Sequence, residues 1–214
     1  MHQRKNQFPD IQIIRIDLNK KDFLQSLIVR PPPIIREVDV LINNAGVGRR
    51  LNLKQHFNDF DLMDEIQVNL NAPIQLTNFL LPQLLEKREA AIINITSALA
   101  YSPLAVVPIY SATKAGFHSY TLSLRQQLKK SSIKVFEIAP PTTDTEMLNG
   151  FQAQDLKGVK PMSSEILVRQ CLRDIKKDKF EICPGNSKLL KIMSRWAPQF
   201  TFDQMNKTLI KENL

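Results

Sequence analysis

The stretch IYSATK, residues 109–114, places a tyrosine and a lysine four positions apart beside small residues. On a helix, Tyr110 and Lys114 would share one face, and an ammonium group near a phenol lowers the phenol pKa from its usual value of about 10. Such a tyrosine could move a proton to or from a substrate oxygen, and Ser97, thirteen residues earlier, could hydrogen-bond the same oxygen. Taken alone, the spacing is better explained by a surface lysine and a half-buried tyrosine on an ordinary helix.

The elements that must position these residues alternate between short apolar runs and longer helical patterns. The runs are rich in β-branched residues and predict strands at 11–16, 38–42, 90–96, 133–138 and 180–183, with helices near 20–29, 59–87, 109–129 and 163–177. The runs at 38–42 and 90–96 are apolar on both faces, as in a parallel sheet covered by helices. The alternation predicts an open α/β sheet with right-handed crossovers.

Three of the predicted strands end in segments that could form one site. Residues 43–46 (NNAG), Ser97 and residues 139–145 (APPTTDT) each follow a strand. Ligands of open α/β sheets bind beyond the carboxyl ends of the strands. The helix that carries Tyr110 begins after a loop from Ser97, so its first turn can reach the same edge. The polar segment 141–161 is long enough to be a functional or mobile loop.

Pro73 stands four residues after Asn69 within a helical pattern. Proline has no N–H, so the Asn69 carbonyl loses its usual partner four residues on and the helix should kink there. A carbonyl freed in this way could accept a hydrogen bond from water. A simple packing kink is an equally good explanation and predicts the same geometry.

Composition and charge favour a globular protein without a nucleic-acid signature. The 214 residues are 43% hydrophobic and 23% charged, and the net charge of +8 would suit an anionic partner such as a phosphorylated cofactor. The basic residues are scattered and no cluster alternates with aromatic residues, which argues against nucleic acid. No stretch reaches the roughly 18 consecutive apolar residues of a membrane-spanning helix, and no signal peptide is recognisable. A cytoplasmic location is therefore expected.

The cysteines and histidines form no recognisable disulfide or metal pattern. Cys171 and Cys183 lie in a predicted helix and a predicted strand, where they are expected to be small core residues of a reducing compartment. No two of His2, His56 and His118 have metal-ligand spacing, so no metal site is predicted. His118 is expected to pack or to face solvent rather than to titrate in catalysis.

Taken together, the motifs and their order resemble the short-chain dehydrogenase/reductase family. LINNAG (41–46), Ser97, YSATK (110–114) and a strand ending in APPTTDTEM (139–147) occur in the order and spacing of that family. The resemblance covers residues 9 to about 195. Residues 92–128 are most similar to the DltE-like oxidoreductase branch.

The resemblance implies a catalytic set of four residues. Tyr110 would be the general acid and base, and Lys114 would lower its pKa and bind the nicotinamide ribose. Ser97 would orient the substrate carbonyl or hydroxyl. Asn69 matches the helix asparagine that helps to hold a water in the proton relay.

The resemblance also implies NAD or NADP as cofactor, with NADP slightly favoured. Asp17, at the end of the 11–16 run, matches the residue that contacts adenine, and Tyr110 and Lys114 would contribute to binding. Two further sets match the adenosine side and the segment against the nicotinamide carboxamide; these are Asn43, Ala45 and Gly46, and Pro140, Thr143 and Thr145.

The function implied is an NAD(P)-dependent oxidoreductase that interconverts a carbonyl and an alcohol of a small molecule by hydride transfer. A second hypothesis is a non-catalytic remnant that acts as a dimerising interaction protein. A related epimerase or dehydratase is disfavoured by the short C-terminal region. In the family, the helices that match 59–87 and 109–129 pair across a dimer axis. Small residues share one face of the second helix, so a homo-oligomer is expected; they are Ala112, Ala115, Ser119 and Ser123.

The family's N-terminal unit, a strand, a TGxxxGxG turn, a helix and a second strand, has no counterpart here, since no glycine precedes Gly46. Residues 1–214 are therefore expected to form a single, N-terminally truncated domain, a Rossmann-like doubly wound α/β sheet without its first βαβ unit. The family's strand order is 3-2-1-4-5-6-7, so the 11–16 run should lose its neighbour and 38–42 should become an exposed apolar edge. The given start is expected to be internal, through a misassigned start codon, a fragment or a disrupted gene.

Overall fold

A parallel sheet organises the residues that the computed structural model describes, which are 11–29, 33–57, 59–151 and 158–210. The four strands found there lie side by side in chain order and pair in parallel; they are β1 (Val40–Asn43), β2 (Ala90–Ile95), β3 (Ile133–Ile138) and β4 (Glu181–Ile182). This arrangement confirms the predicted α/β architecture.

Helices connect these strands and continue beyond the last one. In chain order they are α1 (Gln25–Val29), α2 (Asp59–Ile66), α3 (Ala72–Leu85), α4 (Pro108–Gln127), α5 (Ser164–Ile175), α6 (Ser187–Trp196) and α7 (Pro198–Ile210). Short 3-10 turns cover Pro33–Glu37, Ala98–Ala100 and Glu146–Gly150. Among the helices of the described residues, none is both long and apolar enough to cross a membrane.

The two faces of the sheet carry separate apolar clusters. Ile92 and Val135 pack with residues of α3 and α4 on one face. Ile93 and Phe136 pack with Cys171 of α5 on the other. Successive strand residues point to opposite faces, so a strand covered on both sides must be apolar throughout. This explains the continuous apolar runs in the sequence and confirms Cys171 as a core residue.

The predicted strand at 11–16, at the N-terminal end of the described residues, is wrong. Residues 11–17 form no regular element, and Ile11, Ile13 and Ile14 are each more than 40% exposed. A strand needs a neighbour to satisfy its backbone groups, and the described residues provide none beside this run. The predicted helix at 20–29 is likewise reduced to α1.

The first strand is an exposed edge, as expected. Val40 is 49% exposed and Ile42 is 57% exposed, whereas Leu41 between them packs on the core. Unpaired strand edges of this kind are sites of association with other chains.

The predicted kink before Pro73 takes the form of a π-helical turn, Gln67–Asn71, between α2 and α3. The N–H of Ala72 donates to the carbonyl of Gln67, five residues earlier, and the Thr77 hydroxyl donates to the Pro73 carbonyl at 2.7 Å. Proline has no N–H for the Asn69 carbonyl, which favours a widened turn at this point.

Candidate active site

Ser97, Tyr110 and Lys114 meet beyond the carboxyl end of β2. Ser97 follows that strand by two residues, and α4 brings Tyr110 and Lys114 over it. The Ser97 hydroxyl lies near the Tyr110 side chain and acts to lower its pKa, and the Lys114 Nζ lies 5.6 Å from the centroid of the Tyr110 ring. Lys114 Nζ also donates to the Ile95 carbonyl at 2.9 Å. The helical spacing in the sequence therefore corresponds to a real contact.

The electrostatics of this pair differ from the prediction. Lys114 is only 3% exposed, and burial lowers its pKa to about 8. Burial raises the pKa of Tyr110; the nearby Ser97 hydroxyl opposes that rise, and the charge of Glu65 adds to it. The expected lowering of the Tyr110 pKa is thus reversed in this chain, because burial disfavours the phenolate more than its neighbours favour it.

Asn69 holds the loop after β1 against the helix that carries Tyr110. Its Oδ1 accepts from the Val47 N–H at 2.8 Å, and its Nδ2 donates to the Val47 carbonyl at 2.7 Å and to Thr113 Oγ1 at 3.2 Å. The Thr113 hydroxyl in turn donates to the Tyr110 carbonyl at 2.8 Å. Since the side-chain amide makes all these bonds, the group of Asn69 best suited to hold a water is the carbonyl facing Pro73.

Two glycines of that loop lie beside the candidate catalytic side chains, and at Gly48 a Cβ would be tightly placed. A Cβ on Gly46 would lie 3.4 Å from the Oδ1 of Asn69 and 3.5 Å from the Nζ of Lys114. A Cβ on Gly48 would lie 3.1 Å from Cδ2 of Tyr110 and 3.5 Å from Sδ of Met147. Gly48 follows Gly46 by two residues in NNAGVG, and this second glycine is the sequence signal that could have identified it.

Asn43 belongs to a polar row that crosses the sheet. The register places Asn43 beside Asn94, then Glu137, then Glu181, one residue from each strand. Asn43 Nδ2 donates to Asn94 Oδ1 at 2.9 Å and to Thr77 Oγ1 at 3.2 Å. Its amide therefore ties β1 to β2 and α3, and its role on the adenosine side stays a prediction.

The segment after β3 is fixed beside Ser97. The Pro140 carbonyl accepts from the Ala98 N–H at 2.8 Å, and Thr143 pairs in parallel with Met162. Thr143 Oγ1 donates to the Pro141 carbonyl at 2.9 Å. The residues from Pro140 to Thr143 therefore lie at the same edge of the sheet as Ser97.

Three other predicted cofactor residues are exposed: Asp17, Ala45 and Thr145. Asp17 Oδ1 accepts from the Asn19 N–H at 3.1 Å, and Thr145 Oγ1 bonds the Thr143 carbonyl at 3.4 Å. Gln67 Nε2 donates to the Leu18 carbonyl at 3.2 Å, which holds the turn after Asp17 against the π turn. The adenine and carboxamide roles stay predictions.

Comparison with known proteins identifies the family. A model described as short chain dehydrogenase matches residues 1–156. The chain belongs to the short-chain dehydrogenase family. It is 35% identical over 207 residues to the uncharacterized oxidoreductase DltE of Bacillus subtilis (strain 168), a match that covers 95% of this chain and 81% of that protein. Membership of this family of oxidoreductase enzymes, with similarity to DltE, confirms the predicted resemblance.

Solved structures share the short-chain dehydrogenase fold. A short-chain dehydrogenase from Sphingobium yanoikuyae in complex with NADPH is 23% identical, with a TM-score of 0.74, and the match covers 100% of this chain and 80% of that one. A short chain dehydrogenase/reductase from Burkholderia phymatum in complex with NAD is 17% identical, with a TM-score of 0.78, and the match covers 91% and 78% of the two chains.

A second polar cluster, at the β4 end of the row, was missed by the sequence analysis. His118 Nδ1 bonds the buried Glu137 carboxylate at 2.8 and 3.0 Å, and His118, Glu137 and Glu181 place ligand-type atoms within 4.8 Å of one another. Tyr101 donates to Glu181 Oε1 at 3.2 Å, and the Lys191 ammonium forms an ion pair with Glu181. The members come from different elements, so no sequence spacing could reveal the cluster.

Proposed function

We propose that this short-chain dehydrogenase interconverts a carbonyl and an alcohol of a small molecule by hydride transfer with NAD or NADP. The observation that carries the proposal is the buried Lys114 ammonium 5.6 Å from the centroid of the Tyr110 ring, with the Ser97 hydroxyl near the same tyrosine. These groups supply a proton donor and an orienting hydroxyl at one point, as proton transfer to a substrate oxygen requires.

The nicotinamide side of such a cofactor fits the residues present. At Gly46 no side chain covers the surface between Asn69 and Lys114, and a Cβ there would stand in van der Waals contact with both. Lys114 has three N–H groups, and the bond to the Ile95 carbonyl uses one of them. Lys114 and Tyr110 would hold the nicotinamide ribose, and the segment from Pro140 to Thr145 would flank the carboxamide.

The pyrophosphate side has no counterpart in this sequence. Family members of this fold cradle the pyrophosphate on a glycine-rich turn and a helix N-terminus, and no glycine occurs before Gly46. The preference for NADP is proposed on the net charge of +8, which favours an additional phosphate.

The proton chemistry follows from the site electrostatics. The cofactor would supply or accept the hydride. Because burial raises the pKa of Tyr110, the phenol keeps its proton at neutral pH and can donate it to the oxygen of a carbonyl substrate. Ser97 would hold that oxygen in place. Lys114, whose pKa burial lowers to about 8, would return a proton to Tyr110 through a water that the carbonyl of Asn69 would hold.

A second candidate function is a dimerising interaction protein without catalysis. The exposed apolar edge at Val40 and Ile42 and the exposed small residues Ala112, Ala115 and Ser119 of α4 favour it. In the family, the helix that corresponds to α4 pairs across a dimer axis. Both candidates share that homo-oligomer, so oligomeric state alone does not separate them.

Cofactor titration separates the two candidates. NADPH and NADH are titrated against the 214-residue chain and binding is followed by nicotinamide fluorescence, with Lys114→Met as the matched variant. Saturable binding that Lys114→Met weakens, together with turnover of a panel of aldehydes and ketones, supports the oxidoreductase. A linear signal up to millimolar cofactor, from a chain that is folded and dimeric, would overturn it in favour of the interaction protein.

A further inference from the structure

The segment between β2 and α4, residues 97–107, carries Ser97 and leads directly into Tyr110; it is called the 97–107 loop below. Val106 and Val107 at its end are fully buried. At its start, the Ser97 Oγ accepts from the Leu99 N–H at 3.1 Å. The middle of the loop contacts the C-terminal helices α6 and α7, about one hundred residues later in the chain.

Asn206 of α7 bonds the backbone of the 97–107 loop with both ends of its side-chain amide. Its Oδ1 accepts from the Ala105 N–H at 2.7 Å, and its Nδ2 donates to the Pro103 carbonyl at 3.2 Å. Asn206 is 2% exposed. An amide in this position pairs with one backbone donor and one acceptor, as a neighbouring strand would, and its loss would leave both groups unsatisfied in a buried place.

Lys191 of α6 holds the same loop at a second point, through Tyr101. Its Nζ lies 5.7 Å from the centroid of the Tyr101 ring and forms an ion pair with Glu181. The Tyr101 hydroxyl donates to Glu181 Oε1 at 3.2 Å, and its ring packs edge-on against His118 of α4 at 5.2 Å between centroids. The ammonium, the phenol and the carboxylate thus join α6, the loop and β4.

We propose that α6 and α7 clamp the 97–107 loop, and that Asn206 and Lys191 are positioning residues for Ser97 and Tyr110. The two contacts lie on either side of Ser102, so together with the bond from the Leu104 N–H to Ser111 Oγ of α4 they restrain residues 101–105. The consequence for catalysis rests on the proposed function of Ser97 and Tyr110. The clamp itself is a property of the described contacts and is tested separately.

Hydrogen–deuterium exchange measured by mass spectrometry tests the clamp without any need for activity. Asn206→Ala removes both bonds of the side-chain amide to the loop and should speed exchange in peptides covering 97–107 about tenfold, while peptides of α5 change less than twofold. Lys191→Met should give a smaller increase confined to peptides around Tyr101. Gln199→Ala, which removes an exposed amide from α7, is the matched control and should leave the loop unchanged.

Two exchange results would overturn the clamp. One is an unchanged rate in the 97–107 peptides of a folded Asn206→Ala protein, and the other is an equal increase in α5, which would make Asn206 a global stabiliser. If Asn206→Ala does not fold, Lys191→Met decides by the same comparison of loop and α5 peptides.

Kinetics test the positioning role. With NADPH and a carbonyl substrate, Asn206→Ala should lower kcat about tenfold and leave the KM for NADPH within twofold, because the variant loosens the loop that carries Ser97 while Lys114, buried against the Ile95 carbonyl, keeps its predicted hold on the cofactor. Faster exchange with unchanged kcat would overturn the positioning role. A parent chain without turnover would contradict the proposed function instead, and the exchange comparison would still decide the clamp.

Discussion

The two edges of the sheet differ in what covers them. At β4, Ile182 is fully buried and Glu181 is bound by Tyr101 and Lys191. At β1, Val40 and Ile42 expose about half of their surface, and residues 11–17, which precede β1 in the chain, form no regular element. Both edges belong to one parallel sheet with continuous register. The difference shows that an apolar strand pattern needs a covering element before it becomes a buried strand.

The candidate catalytic residues lie in the interior of the sheet between these two edges, next to the exposed one. Ser97 follows the central strand β2, and Lys114 is buried against the carbonyl of Ile95 in that strand. Asn69 is 1% exposed in the π turn. A site that depends on a fixed lysine and a fixed tyrosine requires that packing hold both β2 and α4 in place. We therefore expect the same kind of substitution to have different effects in the site and at the exposed β1 edge.

The largest effect is expected at Tyr110. Tyr110→Phe removes the proposed proton donor and should lower kcat about 10²- to 10⁴-fold, the usual range for general acid–base catalysis. The measurement is turnover of a carbonyl substrate with NADPH. Tyr120→Phe, on the same helix and half-buried, is the matched control and should keep kcat within threefold. A similar loss in both variants would mean that Tyr110 has no specific role in proton transfer.

A cross-strand pair compares the edge with the interior directly. Ile42 and Ile93 are opposite one another in β1 and β2, and they are 57% and 8% exposed. Ile93→Ala should reduce the free energy of unfolding by about 2–5 kcal/mol, the usual cost of such a cavity, whereas Ile42→Ala should cost less than about 1 kcal/mol. Urea denaturation measures both, and equal losses would contradict the contrast between edge and interior.

The interior strands could be predicted closely because their pattern is local. The runs 90–96 and 133–138 correspond to β2 (Ala90–Ile95) and β3 (Ile133–Ile138). The run at 11–16 is equally apolar, yet it is not a strand, because strand formation depends on a partner that its own residues do not encode. Local sequence therefore predicts a tendency to form strands, and the neighbouring element decides whether the strand forms.

The parts of the site that lie in sequence motifs could be predicted. The parts that depend on contacts between residues far apart in the chain were missed. The contact between Tyr110 and Lys114 followed from helical spacing, and the disturbance at Asn69 followed from the missing N–H of Pro73. The π turn itself, the pKa direction of Tyr110 and the clamp from Asn206 could not be predicted. Each depends on burial or on residues that are far apart in the chain.

A third prediction concerns the stability cost of burying Lys114. Its pKa is about 8 in the folded chain and about 10.4 when unfolded, so between these pH values the unfolded chain binds more protons and stability should rise with pH. The whole rise should amount to about 3 kcal/mol. Lys114→Met should abolish it, whereas Lys188→Met at an exposed position should not. Urea denaturation from pH 7 to pH 11 provides the measurement, and parallel curves for Lys114→Met and the parent would contradict the prediction.

The smallest effect is the change in Tm expected when metal ions are added. It tests whether the existing partners of Glu181 and Glu137 at the covered β4 edge exclude a cation. His118, Glu137 and Glu181 could hold a divalent cation by distance alone. The Lys191 ammonium already forms an ion pair with Glu181, and His118 already bonds Glu137, so a cation would have to displace existing partners. Zinc at low micromolar excess should therefore shift the Tm of the parent by less than about 1 °C, a shift that corresponds to a stability change well under 1 kcal/mol.

Lys191→Met removes the ion pair of the Glu181 carboxylate and should give a larger shift in Tm with zinc. A large shift in the parent would mean that the covered edge is a metal site, and no shift in either protein would mean that Lys191 is not what keeps the cation out.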